Sequence, residues 1–212
     1  MKAIFVIFLG IFALIGVATI GQKSLDISPK NTPETSGDNE RVEVTSKTSV
    51  FDIKTGEAGY YITPDSATLN KGDILKLTIM LKSDKMTLSA GAIRLLLTFD
   101  EGLILKVSDA STDKEGIQVN IDSQIKRGGF SFPVNEVEIN ADEKKGKIDL
   151  AIVTLSPEGF SAEGEYSVAS VDLIAESSGS LSLEFDKNLT KLIDKKGNEI
   201  PLSLRGSKYL VK

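Results

Sequence analysis

The sequence predicts an all-β domain, a sandwich, over residues 49–212. Three observations carry this reading. Ile93, Leu95, Leu97 and Phe99 alternate with Arg94, Leu96 and Thr98, the period-2 pattern of a strand with one face against a core. Eight or more such short runs follow one another, separated by polar turns rich in Gly, Asn and Asp. After residue 22 no stretch shows a convincing helical period.

The elements follow in order. Tyr60, Tyr61 and Ile62 open the pattern, and two adjacent tyrosines on a strand predict that one of them faces out. A turn follows at Thr63-Pro64-Asp65. Asn70-Lys71-Gly72-Asp73 is a second turn, because Asn and Gly tolerate positive φ. Leu75, Leu77, Ile79 and Leu81 then alternate with polar residues, and the strand of residues 90–99 comes next. Asp100-Glu101-Gly102 breaks it, and Leu103 to Val107 begin another. Ile117 and Val119 suggest a short strand after an acidic loop, and Phe130 and Phe132 follow the Gly128-Gly129 pair. Ile148, Leu150 and Ile152 alternate with Asp149, Ala151 and Val153. The runs Ala169–Ala175 and Leu181–Phe185 repeat the pattern. A last hairpin turns at Lys196-Gly197-Asn198, and Leu202, Leu204, Tyr209 and Val211 close the domain. No internal repeat occurs, so this is one module.

Two zones precede it. Residues 1–21 carry Lys2 as their only charge, and Ala3 to Ile20 form an apolar run of 18 residues, including Ala3, Phe5, Phe8, Leu9, Phe12, Leu14 and Ile20. As a helix this run is about 27 Å long, enough for a bilayer core. It reads as an uncleaved membrane anchor or as a cleaved signal peptide. The run is long for a signal peptide, and its small-x-small cleavage sites are poor. A pilin helix would need a Glu where Ile15 stands after Gly10. Residues 22–48 are rich in Ser, Thr, Pro, Asn and charge, and read as a disordered stalk spanning roughly 30 Å. Both readings of the leader place the module outside the cytoplasm.

Composition excludes much chemistry. Without Cys or His there is no disulfide, no thiol nucleophile, no Ser-His-Asp triad and no His-based metal site. The net charge of −5 and the lack of a basic patch argue against nucleic acid. Aromatics make up 6% and Trp is absent, unusual for a sugar binder. The acidic loops at 109–115, 142–143 and 194–199 match no calcium-loop spacing and read as solvated turns, so no metal or other cofactor is expected.

The segments, in this order, resemble the cohesin family. Lys71-Gly72-Asp73 precedes the alternating LKLTIMLK, LLLTFDEGLILKV spans Leu95 to Val107, GKIDLAIV spans Gly146 to Val153, and VASVDLIAE with GNEIPLSL spans Val168 to Glu176 and Gly197 to Leu204. The resemblance covers roughly residues 58–211 and implies a jelly-roll sandwich related to carbohydrate-binding modules. It also implies a protein partner, a dockerin-like calcium-loaded helical module, or else a polysaccharide, and a link to polysaccharide breakdown. Cohesins use one sandwich face, which here places Ala92, Arg94, Leu96, Thr98, Asp149, Ala151 and Val153 as the binding face.

The function expected is therefore a non-catalytic binding module at the cell surface. The alternatives are a self-associating envelope protein and a carboxylate-dependent glycoside hydrolase, for which no pair of acids is singled out. The exposed Leu96 gains meaning only if Val153, Ile174 or Met80 lies beside it and extends an apolar patch.

Overall fold

A computed structural model describes residues 45–111 and 113–212. The expected anchor, from Ala3 to Ile20, and the stalk as far as residue 44 lie outside the described residues. The chain runs through β1 (Thr45–Lys47), β2 (Ala58–Thr63), β3 (Ser66–Leu69), β4 (Ile74–Phe99), β5 (Leu105–Val107), β6 (Asn120–Ile121), α1 (Ser123–Arg127), β7 (Phe130–Asn140), β8 (Lys145–Thr154), β9 (Phe160–Ala175), β10 (Gly179–Phe185), β11 (Lys191–Asp194), β12 (Leu202–Arg205) and β13 (Ser207–Val211). The domain is all-β, and its hydrogen-bonded sheet curls into the two layers of a jelly roll.

Strand β4 joins the layers. Its first half lies between β2 and β9, with β12 beyond β2 and β5 and β6 on the far edge of β9. Its second half lies between β8 and β10, and the layer continues through β7 on one side and β13, β3 and β1 on the other. The sequence divides this stretch into two strands; the structure makes it one strand of 26 residues. Register shifts against β9 at Ile79/Met80 and between Ser83 and Met86 supply the bend. Bulges of this kind increase local twist and let one strand serve two layers. The bend is pinned at Asp84, whose carboxylate accepts from Gly56 N at 2.9 Å and whose N–H donates to Glu57 O at 3.2 Å.

The alternating residues fill the space between the layers. Ile93, Leu95 and Leu97 are 1% exposed, and Leu77, Ile79, Ile148, Leu150, Val171, Leu173, Leu181 and Leu183 are buried with them. Each such side chain removed from water contributes about 1.5–3 kcal/mol. With no cysteine, this burial is the main term holding the domain. The turns at Gly72 and Gly197 take φ of +85°, a conformation that glycine adopts without steric cost.

Four details differ from the sequence reading. Both tyrosines of β2 are buried, Tyr60 at 0% and Tyr61 at 5%. Tyr61 does point away from the core, but Phe51 stacks on it at 4.7 Å and the Arg205 guanidinium sits 5.2 Å from its ring. Second, Thr45–Lys47 falls in the stretch assigned to the stalk, yet pairs with Ser66–Thr68 as β1. Third, a helical turn, α1, stands where none is expected; Asp122 caps it by accepting from Gln124 N at 2.7 Å, and it buries Ile125. Last, the strand signalled by Phe130 and Phe132 runs on to Asn140.

Candidate functional site

The residues picked out by the sequence share one surface, the outward side of β4 and β8. Their register brings Ala92 opposite Ala151 and Arg94 opposite Asp149, while Leu96 faces Lys147, Thr98 faces Lys145 and Val153 faces Ala90. Strand β7 extends the rows with Val134 beside Ala151, Glu136 beside Asp149 and Glu138 beside Lys147. On the other side, Glu184 of β10 lies beside Leu96, and Lys191 and Ile193 of β11 lie beside Ala92 and Ala90.

The face divides into two chemical halves. In the charged half, Arg94 grips Asp149 with two parallel bonds, Nε to Oδ1 at 2.6 Å and Nη2 to Oδ2 at 2.9 Å. Lys147 lies 3.6 Å from the same carboxylate and 3.1 Å from Glu138. The Arg94 guanidinium is held more firmly in its charged form, chiefly by the bond to Asp149. Lys147 is held above the usual lysine range, chiefly by Glu138. Bidentate pairing fixes the plane of the guanidinium as well as its charge.

Backbone architecture sets Arg94 in place. Strand β10 ends at Phe185 and β11 begins at Lys191, leaving a gap in the ladder beside Arg94. The side chain of Thr190, 2% exposed, fills it by accepting from Arg94 N and donating to Arg94 O, both at 3.2 Å. Asp186 N also donates to Arg94 O, at 2.9 Å.

The other half is apolar and shallow. Ile193, Ala90 and Val153 make one row, and Ala92, Ala151 and Val134 the next. Val153 is 40% exposed, and Leu155 beyond it is 76% exposed. Leu96 is 41% exposed but stands apart from this patch, between Glu184 and Lys147. Six residues of strand separate it from Ala90, about 20 Å. Met80 and Ile174 belong to the opposite layer, beside Tyr61 and Ile74. The apolar patch is therefore centred on the alanines rather than on Leu96.

Sequence reading misses Ala90, Val134, Lys147, Glu138 and Ile193. A signal for β7 is present, since Val137 and Ile139 alternate with Glu136 and Glu138. Ile193 is legible only from its pairing with a strand some hundred residues earlier. The acidic loops are occupied with their own turns. Asp109 accepts from Ser111 N and Gln118 N, and Asp194 from Lys196 N and Asn198 N. Among the described residues no three carboxylates converge where they could hold a metal ion.

No family model and no curated protein sequence matches the chain. Among solved structures it is similar to a type II cohesin domain from the cellulosome of Acetivibrio cellulolyticus, at a TM-score of 0.50 and 16% identity, covering 72% of this chain and 95% of that one. It is also similar to a chain of a type I cohesin–dockerin complex from Clostridium thermocellum, at a TM-score of 0.49 and 12% identity over 74% and 99% of the two chains. A non-cellulosomal cohesin from the archaeon Archaeoglobus fulgidus gives 0.41 and 14% over 74% and 91%. The Acetivibrio likeness shows the fold, a cohesin-type jelly roll.

Proposed function

We propose that this domain is a non-catalytic binding module that docks a protein partner on the face formed by β10, β11, β4, β8 and β7. The observation that carries the reading is the half-exposed apolar patch of Ala90, Ala92, Val134, Ala151, Val153 and Ile193, bordered by the Arg94–Asp149–Lys147–Glu138 cluster. Protein interfaces combine an apolar centre with a polar rim, and this face has both. Its small side chains project little above the strands, so a partner helix can approach closely. The ion pairs are already satisfied within the domain, so docking beside them strands no charge. The resemblance to cohesins supports a dockerin-like helical module as the partner. The leader and stalk, as read from the sequence, would hold the module on the outer side of the membrane.

The test is affinity capture from an envelope extract of the source cell. The full chain, Ala151→Arg and Lys76→Glu are compared, the last altering an exposed lysine of the opposite layer. A protein retained by the full chain and by Lys76→Glu, but lost with Ala151→Arg, is the expected result. Equal retention by all three would remove this face as the docking surface.

A further inference from the structure

We propose a second, separate binding site: the pocket between Ala110, Ser111, residues 114–121, α1 and the start of β7, which takes a carboxylate borne on a ring. The cavity measures about 480 Å³, within the range of ligand sites. Its apolar wall includes Phe130 and Phe132. Phe130 packs on Phe160 at 4.9 Å, which holds its ring in place. A flat ring can lie against such a surface, which supplies contact area at little entropic cost.

Charge selects the ligand. Lys114 and Lys126 both line the pocket, and neither is ion-paired among the described residues. No Asp or Glu is among the lining residues. Of the acids nearby, Asp109 accepts from Ser111 N and Gln118 N and Asp122 caps α1, while Asp113 and Glu115 flank Lys114 in sequence without lining the pocket. The charged groups that line the pocket itself are thus cationic, on a chain of net charge −5. Polar groups complete it. Asn120 is exposed at its edge, and Gln118, 3% exposed, lines it with an unpartnered Oε1 that can accept from a hydroxyl on the ligand ring, not from the carboxylate. Two cations with a fixed aromatic wall suit an anion that also has a ring face, from either an acidic sugar or an aromatic acid.

The test titrates the full chain with two probes, an oligogalacturonate and 4-hydroxyphenylacetate, by calorimetry and by amide chemical shifts. A neutral galactose oligomer serves as control. Binding of either acid, with shifts at residues 114, 126 and 132, is expected. Added salt weakens it, and the Lys114→Gln/Lys126→Gln double variant weakens it about tenfold or more through loss of two charge-assisted contacts. Lys208→Gln, an exposed lysine of β13, leaves it unchanged. Binding of the first probe alone identifies an acidic sugar, and of the second alone an aromatic acid. If neither acid binds, if the neutral oligomer binds equally well, or if the double variant binds as the native chain does, the site is not an anion pocket.

Discussion

Single residues on the candidate face divide into those that hold the sheet and those that face a partner. Thr190 belongs to the first group. Its hydroxyl substitutes for a missing strand, closing both backbone bonds of Arg94 in a buried position. Thr190→Val keeps the shape and leaves Arg94 N–H without that acceptor. Stranding a buried donor costs about 1–3 kcal/mol, so chemical denaturation of this variant is expected to show a loss of that size. Arg94 itself belongs to the second group. Its side chain is 34% exposed and that of Asp149 15%, so the pair lies at the solvent boundary, where ion pairs contribute about 1 kcal/mol or less when the remaining charge keeps a partner. Lys147 also remains 3.6 Å from Asp149 when Arg94 is shortened. Arg94→Ala is therefore expected to change stability by at most about 1 kcal/mol in the same experiment. A larger loss would make the pair a structural support and weaken its assignment to the docking rim.

Among the elements, the segment before β2 is tied down by side chains, Lys82 donating to Phe51 O at 2.6 Å, Asp65 accepting from Ser49 N at 2.7 Å, and Arg205 making the most bonds. Arg205 of β12 donates to Val50 O at 2.9 Å, Ser49 O at 3.2 Å and Asp65 Oδ1 at 2.9 Å, and its guanidinium lies 5.0 Å from the Phe51 ring. Arg205→Ala is expected to raise amide exchange at residues 49–51 while leaving β4 and β8 protected; unchanged exchange at 49–51 would mean that Phe51 packing with the Asp65 and Lys82 bonds suffices to hold the segment. This clamp also explains what the sequence does not disclose. The alternation of β4, β8, β9 and β10 is legible because each has one face in the core, and those strands place the whole sequence-derived site on one surface. Tyr61 escapes that logic, since its outer side is covered by Phe51 and Arg205 from distant parts of the chain. β1 escapes it as well, because three polar residues become a strand only through pairing with β3. The apolar patch is legible in half: Ala92, Ala151 and Val153 lie on recognisable strands, but Val134 and Ile193 join them through register alone.

For the whole molecule, the titratable groups predict a stability that is level across neutral pH and falls at both ends. On the acid side, Asp109 is held below the usual carboxylate range by backbone donors, chiefly Gln118 N. Asp194 is lowered first by the Asn198 side chain, Asp84 by Gly56 N, and Glu158 by Lys195. A lowered pKa in the folded state means that the unfolded chain takes up protons first. The stabilisation is therefore present above the unfolded value, about 4, and is lost as pH falls through the folded one. On the alkaline side the sign reverses. Burial pushes Tyr61 up to about 12, with Glu165 adding to the effect, and raises Tyr60 and Tyr209 further. The folded state keeps these phenol protons, so their contribution is whole below the unfolded value, about 10, and is lost as pH rises through the folded values. Between these limits the chain has no histidine to titrate. Urea midpoints are expected to stay constant from about pH 6 to 9 and to decline below about 4 and above about 10. Asp109→Asn combined with Asp194→Asn removes two of the acid-side groups, and should make the acid limb shallower without moving the alkaline one. A decline that begins near pH 7 has no source among these residues, and would show that the pH response arises outside the groups that the fold perturbs.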